Sequence, residues 1–337
     1  MKRSLITALI ILIAAFGAGI WLQWRWTREP LPIGTQAVDV EIMPGESLHQ
    51  VAQEFAAKGI LRHAWDLTLY TRLERASGGL RAGEYSIDPG STVASLLTLL
   101  RSGKVVMHSL TLVDGWNLRE VMAAVEAAPD LKHTLTDTHP AALAKVLELD
   151  ATSPEGLLLP DTYQFPRGTS DVAFLRRAHE ASQQEIDKAW ADRATGLPYA
   201  KPYDALIMAS IVEKETAQPF ERGKIAGVFV RRLQKGMKLQ TDPTVIYGLG
   251  DAYNGDITYK DLRTDTPYNT YTRFGMPPTP ICMPGRASIE AALHPEPGNA
   301  LYFVARGDGT HQFSATLKQQ NAAVAKYQLH QDHDKNK

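Results

Sequence analysis

The run from Leu5 to Trp24 limits what this chain can fold into before any other feature does. It contains no charged residue, and about 20 apolar residues are what a helix needs to cross a hydrocarbon core. Lys2 and Arg3 precede it, and Trp21, Trp24 and Trp26 cluster at its far end like an interfacial aromatic belt. Gly17-Ala-Gly19 offers small residues for leader cleavage, but Ile20 to Leu22 carry the apolar character straight past it. The run is therefore expected to be an uncleaved single-pass anchor, with residues 1–4 as a short cytoplasmic tail. Arg25 and Arg28 at the outer end blur the orientation signal. No second span follows, which places residues 30–337 on one side of the membrane.

Net charge is −1, so nothing in the composition suggests a nucleic-acid partner. Cys282 is the one cysteine, which excludes an internal disulfide. The ten histidines are scattered without ligand spacing, and no HExxH or paired Cys/His pattern exists, so no metal site and no cofactor is expected. No glycine-rich phosphate loop is present, and no G-x-S-x-G turn surrounds a serine.

Residues 25–37 form a linker. Val38–Ile42 alternates like a strand, Pro44-Gly45 turns, and Ser47 can cap a helix with Leu48, Val51, Ala52 and Phe55 on one face. Pro44-Gly-Glu-Ser-Leu48 in that setting resembles the opening of a LysM glycan-binding module. The strand–Pro-Gly–helix arrangement recurs at 84–101, where Gly103 stops the helix. A strand at 105–113 and a helix at 117–127 follow, then a short helical connection over 131–155. Beyond Pro154, helices are expected near 171–193, 203–217 and 220–235, with Asp242 and Pro243 as N-cap and first position of another. Residues 267–298 are rich in proline and glycine and are expected to be loops lining a groove. Leu301–Val304 and His311–Phe313 flank Gly307-Asp-Gly309 as a hairpin, and a last helix covers about 317–330.

The chemistry concentrates in Met208-Ala-Ser-Ile-Val-Glu-Lys-Glu-Thr216. A helix turns about 100° per residue, so Glu213 and Glu215 point about 200° apart and cannot share one cleft. Met208, Ile211 and Val212 lead by helical spacing onto Glu215, which should continue a buried stripe. A carboxyl there is harder to ionise, the property of a general acid near neutral pH. The bland alternative is a solvated helix end carrying a charge cluster. Amide, hydroxyl and phenol groups downstream, at Gln240, Thr241, Tyr268, Asn269 and Tyr271, suit the hydroxyls, N-acetyl groups and ring faces of a polysaccharide, although each could equally form turns or caps.

Ala209-Ser-Ile-Val-Glu-Lys-Glu-Thr216, Arg231-Arg-Leu233, Leu239-Gln-Thr-Asp-Pro-Thr-Val-Ile-Tyr-Gly248, Tyr268-Asn-Thr-Tyr271 and Gly275-Met-Pro-Pro278 resemble the MltG/YceG-like endolytic murein transglycosylases. Glu155-Gly156, Pro160-Asp-Thr-Tyr163, His294-Pro295 and Tyr302-Phe-Val304 extend the resemblance over essentially the whole chain. It implies that the second glutamate of Glu-Lys-Glu, Glu215, is catalytic. It also implies cleavage of the β-1,4 bond after N-acetylmuramic acid in peptidoglycan glycan strands, leaving 1,6-anhydro ends. Gln240, Thr241, Tyr268, Asn269, Tyr271, Asp161 and Tyr163 become candidate substrate-binding residues. A bacterial inner-membrane location with the bulk of the chain in the periplasm follows, with penicillin-binding protein synthases as family-implied partners. The fold class expected is α+β: a transmembrane helix over 5–24, a small LysM-like α/β module with its connection over 38–153, and a larger mixed α+β catalytic domain over 154–333. Two other functions remain open: a non-catalytic peptidoglycan-binding scaffold, and a hydrolytic muramidase in which Asp242 or Glu213 activates water.

Overall fold

The structure, a computed structural model, describes residues 25–74 and 79–329 together with Leu12 and Gly17. The rest of the Leu5–Trp24 run lies outside the described residues, and among these no helix is long and apolar enough to cross a membrane. The fold is mixed α+β. The chain divides into two compact units, one of Met1–His108 with Gln164–Gly168 and one of Ser109–Tyr163 with Thr169–Lys337. Residues 109–153, grouped with the smaller module on sequence, cluster with the larger unit.

In the smaller unit β1 (Val38–Ile42) runs antiparallel to β2 (Gly83–Ile87), with Val38 opposite Ile87. The two-residue period sends Val40, Ile42, Tyr85 and Ile87 inward. Helices α1 (Leu48–Ala57), α2 (Ala64–Leu73) and α3 (Val93–Ser102) bury Val51, Phe55, Leu67, Leu96 and Leu100 in the same core. Ser47 and Thr92 cap α1 and α3 through reciprocal capping boxes. The strand–Pro-Gly–helix arrangement that occurs twice is therefore one sheet and two helices sharing one interior. Helix α2 is absent from the sequence expectation. Its Trp65, Leu69 and Leu73 face solvent while Asp66 is buried, the reverse of the usual amphipathic pattern.

The larger unit begins along β3 (Met107–Thr111) and continues through α4 (Leu118–Glu126), which Asn117 caps. After it come β4 (Leu131–Lys132), α5 (Pro140–Val146), β5 (Thr162–Pro166), whose last three residues belong to the Gln164–Gly168 stretch of the smaller unit, and β6 (Thr169–Ser170), and β4 pairs in parallel with β6. Then follow α6 (Asp171–Ala191), α7 (Pro202–Glu215), α8 (Arg222–Gln234), α9 (Asp242–Leu249), α10 (Tyr259–Arg263) and α11 (Arg286–Leu293). The antiparallel hairpin β7 (Tyr302–Ala305) and β8 (His311–Ser314) and helix α12 (Leu317–Val324) complete it. Helix α7 is the centre: every residue from Ala205 to Val212 is buried, with α6, α8, α9 and α11 around it. Because the helix is buried on all faces, the apolar stripe leading to Glu215 does not by itself distinguish it from Glu213. What each side chain touches makes the distinction.

Two sequence expectations change here. The 267–298 stretch is not all loop, because α11 lies within it and buries Ile289, Ala292 and Leu293 against α7. Its short length and the prolines around it hid the pattern. At α9 the N-cap is Thr241, not Asp242, and Asp242 and Pro243 are the first two helical positions.

Gly156 sits at φ 75°, and a Cβ there would lie 2.2 Å from Pro280 Cβ. Left-handed backbone costs an L-residue about 1–2 kcal/mol and core overpacking about 1–3 kcal/mol. Gly156→Ala is therefore expected to lose roughly 2–5 kcal/mol in denaturant unfolding. An unchanged midpoint would show that the Pro280 loop yields freely.

Candidate active site

Helix α7 ends at Glu215 because Thr216 turns extended (φ −147°, ψ 136°). The last three helical residues fan out to three different neighbours, as the helical rotation requires. The Glu213 side chain is 6% exposed, lies 3.4 Å from Arg222 Nη2 and accepts the Gly285 N–H at 3.0 Å. Lys214 reaches the Gly115 carbonyl at 3.3 Å. Glu215 opens into a cleft of about 390 Å³ lined by Arg232, Gln240, Asp242, Tyr271, Tyr302 and His311.

The partner of Glu215 is Thr241, whose hydroxyl donates to Glu215 Oε1. Thr241 is the N-cap of α9, yet its side chain makes no capping bond. A threonine there ordinarily accepts an N–H of its own helix, worth about 1 kcal/mol, and this one is spent on a carboxyl instead. Its backbone is held by neighbours: Thr241 N–H donates to Thr270 Oγ1 at 3.1 Å, and Thr244 Oγ1 donates to the Thr241 carbonyl at 2.8 Å. With Oε1 occupied, Oε2 is left to carry a transferable proton.

Burial raises the Glu215 pKa to about 7; the nearby Asp242 charge adds to the rise and the Thr241 hydrogen bond opposes it. Helix polarity acts in both directions. The negative pole of α7 favours the protonated acid, and the start of α9 beside it favours the carboxylate. Glu215 sits between the two opposing poles.

The cleft walls are braced. Arg232 is buried, with Nε on the Lys238 carbonyl at 2.8 Å, Nη1 on the Leu301 carbonyl at 3.0 Å, and Nη2 on Gln240 Oε1. Gln240 adopts φ 52°, an uncommon left-handed conformation for a side-chain-bearing residue. Tyr271 donates its hydroxyl to Asp242 Oδ1 at 2.5 Å, and burial and that carboxylate raise its pKa. His311 Nδ1 lies 2.7 Å from Oε2 of the buried Glu221.

A second cavity of about 890 Å³ lies on the other face of α9, lined by Met122, Lys214, Ile246, Tyr247 and Tyr268. It contains Glu155, 4% exposed, whose two oxygens each lie 3.1 Å from the Leu118 N–H and whose Oε2 accepts the Tyr247 hydroxyl at 3.0 Å. Burial raises its pKa to about 7 against those hydrogen bonds.

The chain matches the YceG-like family over residues 40–326. This chain belongs to the YceG-like family. It is 31% identical to an endolytic murein transglycosylase of Bacillus subtilis (strain 168), over 92% of this chain and 90% of that protein. It is 25% identical to an endolytic murein transglycosylase of Streptococcus pneumoniae serotype 2 (strain D39), over 90% of this chain and 61% of that one. A crystal structure of a yceG-like protein from Listeria monocytogenes superposes with a TM-score of 0.54 at 31% identity, covering 86% of this chain and 99% of that chain.

In this YceG-like chain, Gln240, Thr241 and Tyr271 join Glu215 in the cleft, while the other candidates are occupied elsewhere. Asn269 is buried and donates to the Asp261, Leu262 and Thr264 carbonyls at 3.1, 3.2 and 2.7 Å, and its Oδ1 accepts the Tyr271 N–H, so its amide folds the loop. Tyr268 lines the second cavity, its ring 4.8 Å from Tyr247 and its hydroxyl 2.8 Å from Thr279 Oγ1. Asp161 pairs with Arg286 at 2.9 Å, which holds its pKa below the usual range. Tyr163 is a core residue: it packs 5.5 Å from Phe174, donates to the Leu159 carbonyl at 2.7 Å, and burial pushes its pKa to about 12. Arg232, Tyr302 and His311 carried no site role in the sequence, and Asp242 carried only that of activating water in the hydrolytic alternative. For His311 the available signal was the two-residue period of the hairpin, which puts its ring edge-on to Phe303 at 5.3 Å.

Proposed function

We propose that this chain is an endolytic lytic transglycosylase of peptidoglycan glycan strands, with Glu215 as its one acid–base group. The observation that carries the mechanism is a carboxyl with a pKa near 7, lodged in a cleft and pinned at one oxygen by a helix cap that gives up its own cap bond. Endolytic murein transglycosylase relatives support the substrate. Protonated Glu215 gives its proton to the bridging oxygen as the C1–O bond after N-acetylmuramic acid breaks. The carboxylate then takes the proton of the C6 hydroxyl as that oxygen bonds to C1 of the same sugar. The products are a free 4-hydroxyl and a 1,6-anhydro end, water is not consumed, and Glu215 returns protonated. The internal nucleophile benefits from high effective molarity, so a second carboxylate is not required as it is in most glycosidases.

The cleft residues take supporting roles in this proposal. Gln240, its carbonyl oxygen held by Arg232, offers its amide NH₂ to sugar hydroxyls, and Tyr271 and Tyr302 offer ring surface. Asp242 is the group a hydrolytic alternative would use to activate water, and its Oδ1 accepts the Tyr271 hydroxyl. Product analysis separates the alternatives: anhydro ends support the transglycosylase, reducing ends the muramidase, and absence of cleavage the scaffold. Leu5–Trp24 acts as the membrane anchor, 38–153 as the LysM-like glycan-positioning module with its connection, and 154–333 as the catalytic domain facing the periplasm. Glycan-polymerising penicillin-binding proteins are the partners this location suits. Protease added to spheroplasts is expected to digest the large domain while the N-terminus stays intact; a mature N-terminus near residue 20 would overturn the anchor.

Because the acid must be protonated in the free enzyme, kcat/KM is expected to fall as pH rises through about 7. Initial rates of anhydro-end release between about pH 5 and 9 test this. A rate that climbs across that range would mean Glu215 starts as the carboxylate.

A further inference from the structure

The face of α2 carries a feature that glycan cleavage does not use. Trp65, Leu69 and Leu73 are 53%, 39% and 47% exposed and follow one another at four-residue spacing, so they form a single apolar stripe. Arg72 falls on the same side of the helix. An apolar face of this kind on a small unit needs an occupant.

The chain itself points to the occupant. Trp26 packs on the N-terminal end of the stripe, its indole stacked on Trp65 at 5.9 Å and 21° and edge-on to Tyr70 at 6.4 Å. Its Nε1 donates to Oδ1 of the buried Asp66 at 3.0 Å. Trp26 is therefore fixed to α2 at three points. The uncharged Leu5–Trp24 run ends two residues earlier, and two residues reach at most about 7 Å. A bilayer spanned by that run has its headgroup layer within that reach of Trp26, and so beside Trp65.

We propose that the Trp65–Leu69–Leu73 face of α2 is a membrane seat, lying in the interfacial layer of the bilayer from which the anchor emerges. This rests on reading Leu5–Trp24 as a membrane anchor. Tryptophan and leucine are the side chains that partition into that layer, and arginine beside them suits anionic headgroups. A glycan is the poorer occupant. Sugar rings bind by covering an indole, and His63 (5.4 Å, 11°) and Trp26 already stack on that of Trp65. The seat would hold the first unit against the membrane at a set orientation instead of leaving it to swing on a tether.

The test uses the full chain in phosphatidylethanolamine–phosphatidylglycerol vesicles. A polarity-sensitive fluorophore is placed on Leu69→Cys, on Gln53→Cys at an exposed position of α1, or on Ala8→Cys within the anchor. The native Cys282 is buried and does not compete for label. Lipid-borne nitroxide is expected to quench the label at 69 several-fold more than that at 53, with blue-shifted emission, and Trp65→Ser is expected to reduce that difference. Cleavage of sacculi by each variant confirms folding. Equal quenching at 69 and 53 while the label at 8 is quenched would overturn the seat and keep the anchor. A label at 8 that lipid does not quench would remove both. In detergent without lipid, a blue shift at 69 on adding glycan strands would assign the face to glycan and overturn the seat.

Discussion

Glu215→Gln is expected to abolish release of anhydro-ended fragments from sacculi while the protein melts as a folded domain. Loss of general acid or base catalysis costs about 10²–10⁴-fold in rate. In the proposed mechanism one residue serves as both, so the loss is expected at or beyond the upper end of that range. Glutamine preserves the shape and can still accept the Thr241 hydroxyl, so the cleft keeps its form. Above pH 7 the variant is expected to be at least as stable as the parent, because it no longer ionises a carboxyl whose pKa burial raises to about 7. Normal cleavage by a folded Glu215→Gln protein would remove Glu215 from the mechanism.

Glu213→Ala is expected to do the opposite: destabilise strongly and leave the folded molecules active. The Glu213 carboxylate faces Arg222, with side chains 6% and 15% exposed, and it accepts the Gly285 N–H that starts α11. Removing one member of a buried ion pair costs about 3–5 kcal/mol. For a unit the size of the larger one that is roughly a 6–20 °C fall in its melting temperature. Glu213→Gln keeps an acceptor for Gly285 and should lose less. Activity per folded molecule within a few-fold of the parent is expected for both. A fully folded, inactive Glu213→Gln would reverse the assignment of the two glutamates.

The different settings of those glutamates were legible in the sequence for a reason that is only half right. The rotation of the helix separates Glu213 from Glu215, and that holds. The apolar stripe does not discriminate, because α7 is apolar on every side. The deciding facts are long-range ones: Arg222 and Gly285 reach Glu213, and Thr241 reaches Glu215. Local signals with a strong backbone cause, such as the Ser47 and Thr92 caps and Gly103 at φ 70°, were readable in place. Helix α2 was not, because Trp65, Leu69 and Leu73 face outward while Leu67 and Asp66 are buried, and α11 was masked by the prolines flanking it. Asn269 has the chemistry of a sugar ligand, and nothing local reveals that the 261–272 loop consumes its hydrogen bonds. Thr241 illustrates the opposite case. The sequence named it among the polar groups around the site and read Asp242 as the cap; its position as N-cap, and the hydroxyl it turns to Glu215 instead of to its own helix, appear only in the fold.

Glu155 and Glu215 lie in one unit, and burial brings both from 4.5 to about 7. A carboxyl with a raised folded-state pKa binds its proton more tightly folded than unfolded. Its favourable share is complete below about pH 4.5 and is lost as pH climbs through about 7. For Glu155 alone that share approaches about 3 kcal/mol. Through these two carboxyls mild acidity firms the unit over the same interval in which it protonates Glu215, the proposed catalytic acid, and alkalinity reverses both. Between about pH 4.5 and 7 these two carboxyls offer no exchange of rigidity for turnover. Any ligand that requires protonated Glu215 will draw a proton from the buffer above neutrality, so its binding heat at pH 8 will vary with the ionisation enthalpy of the buffer chosen.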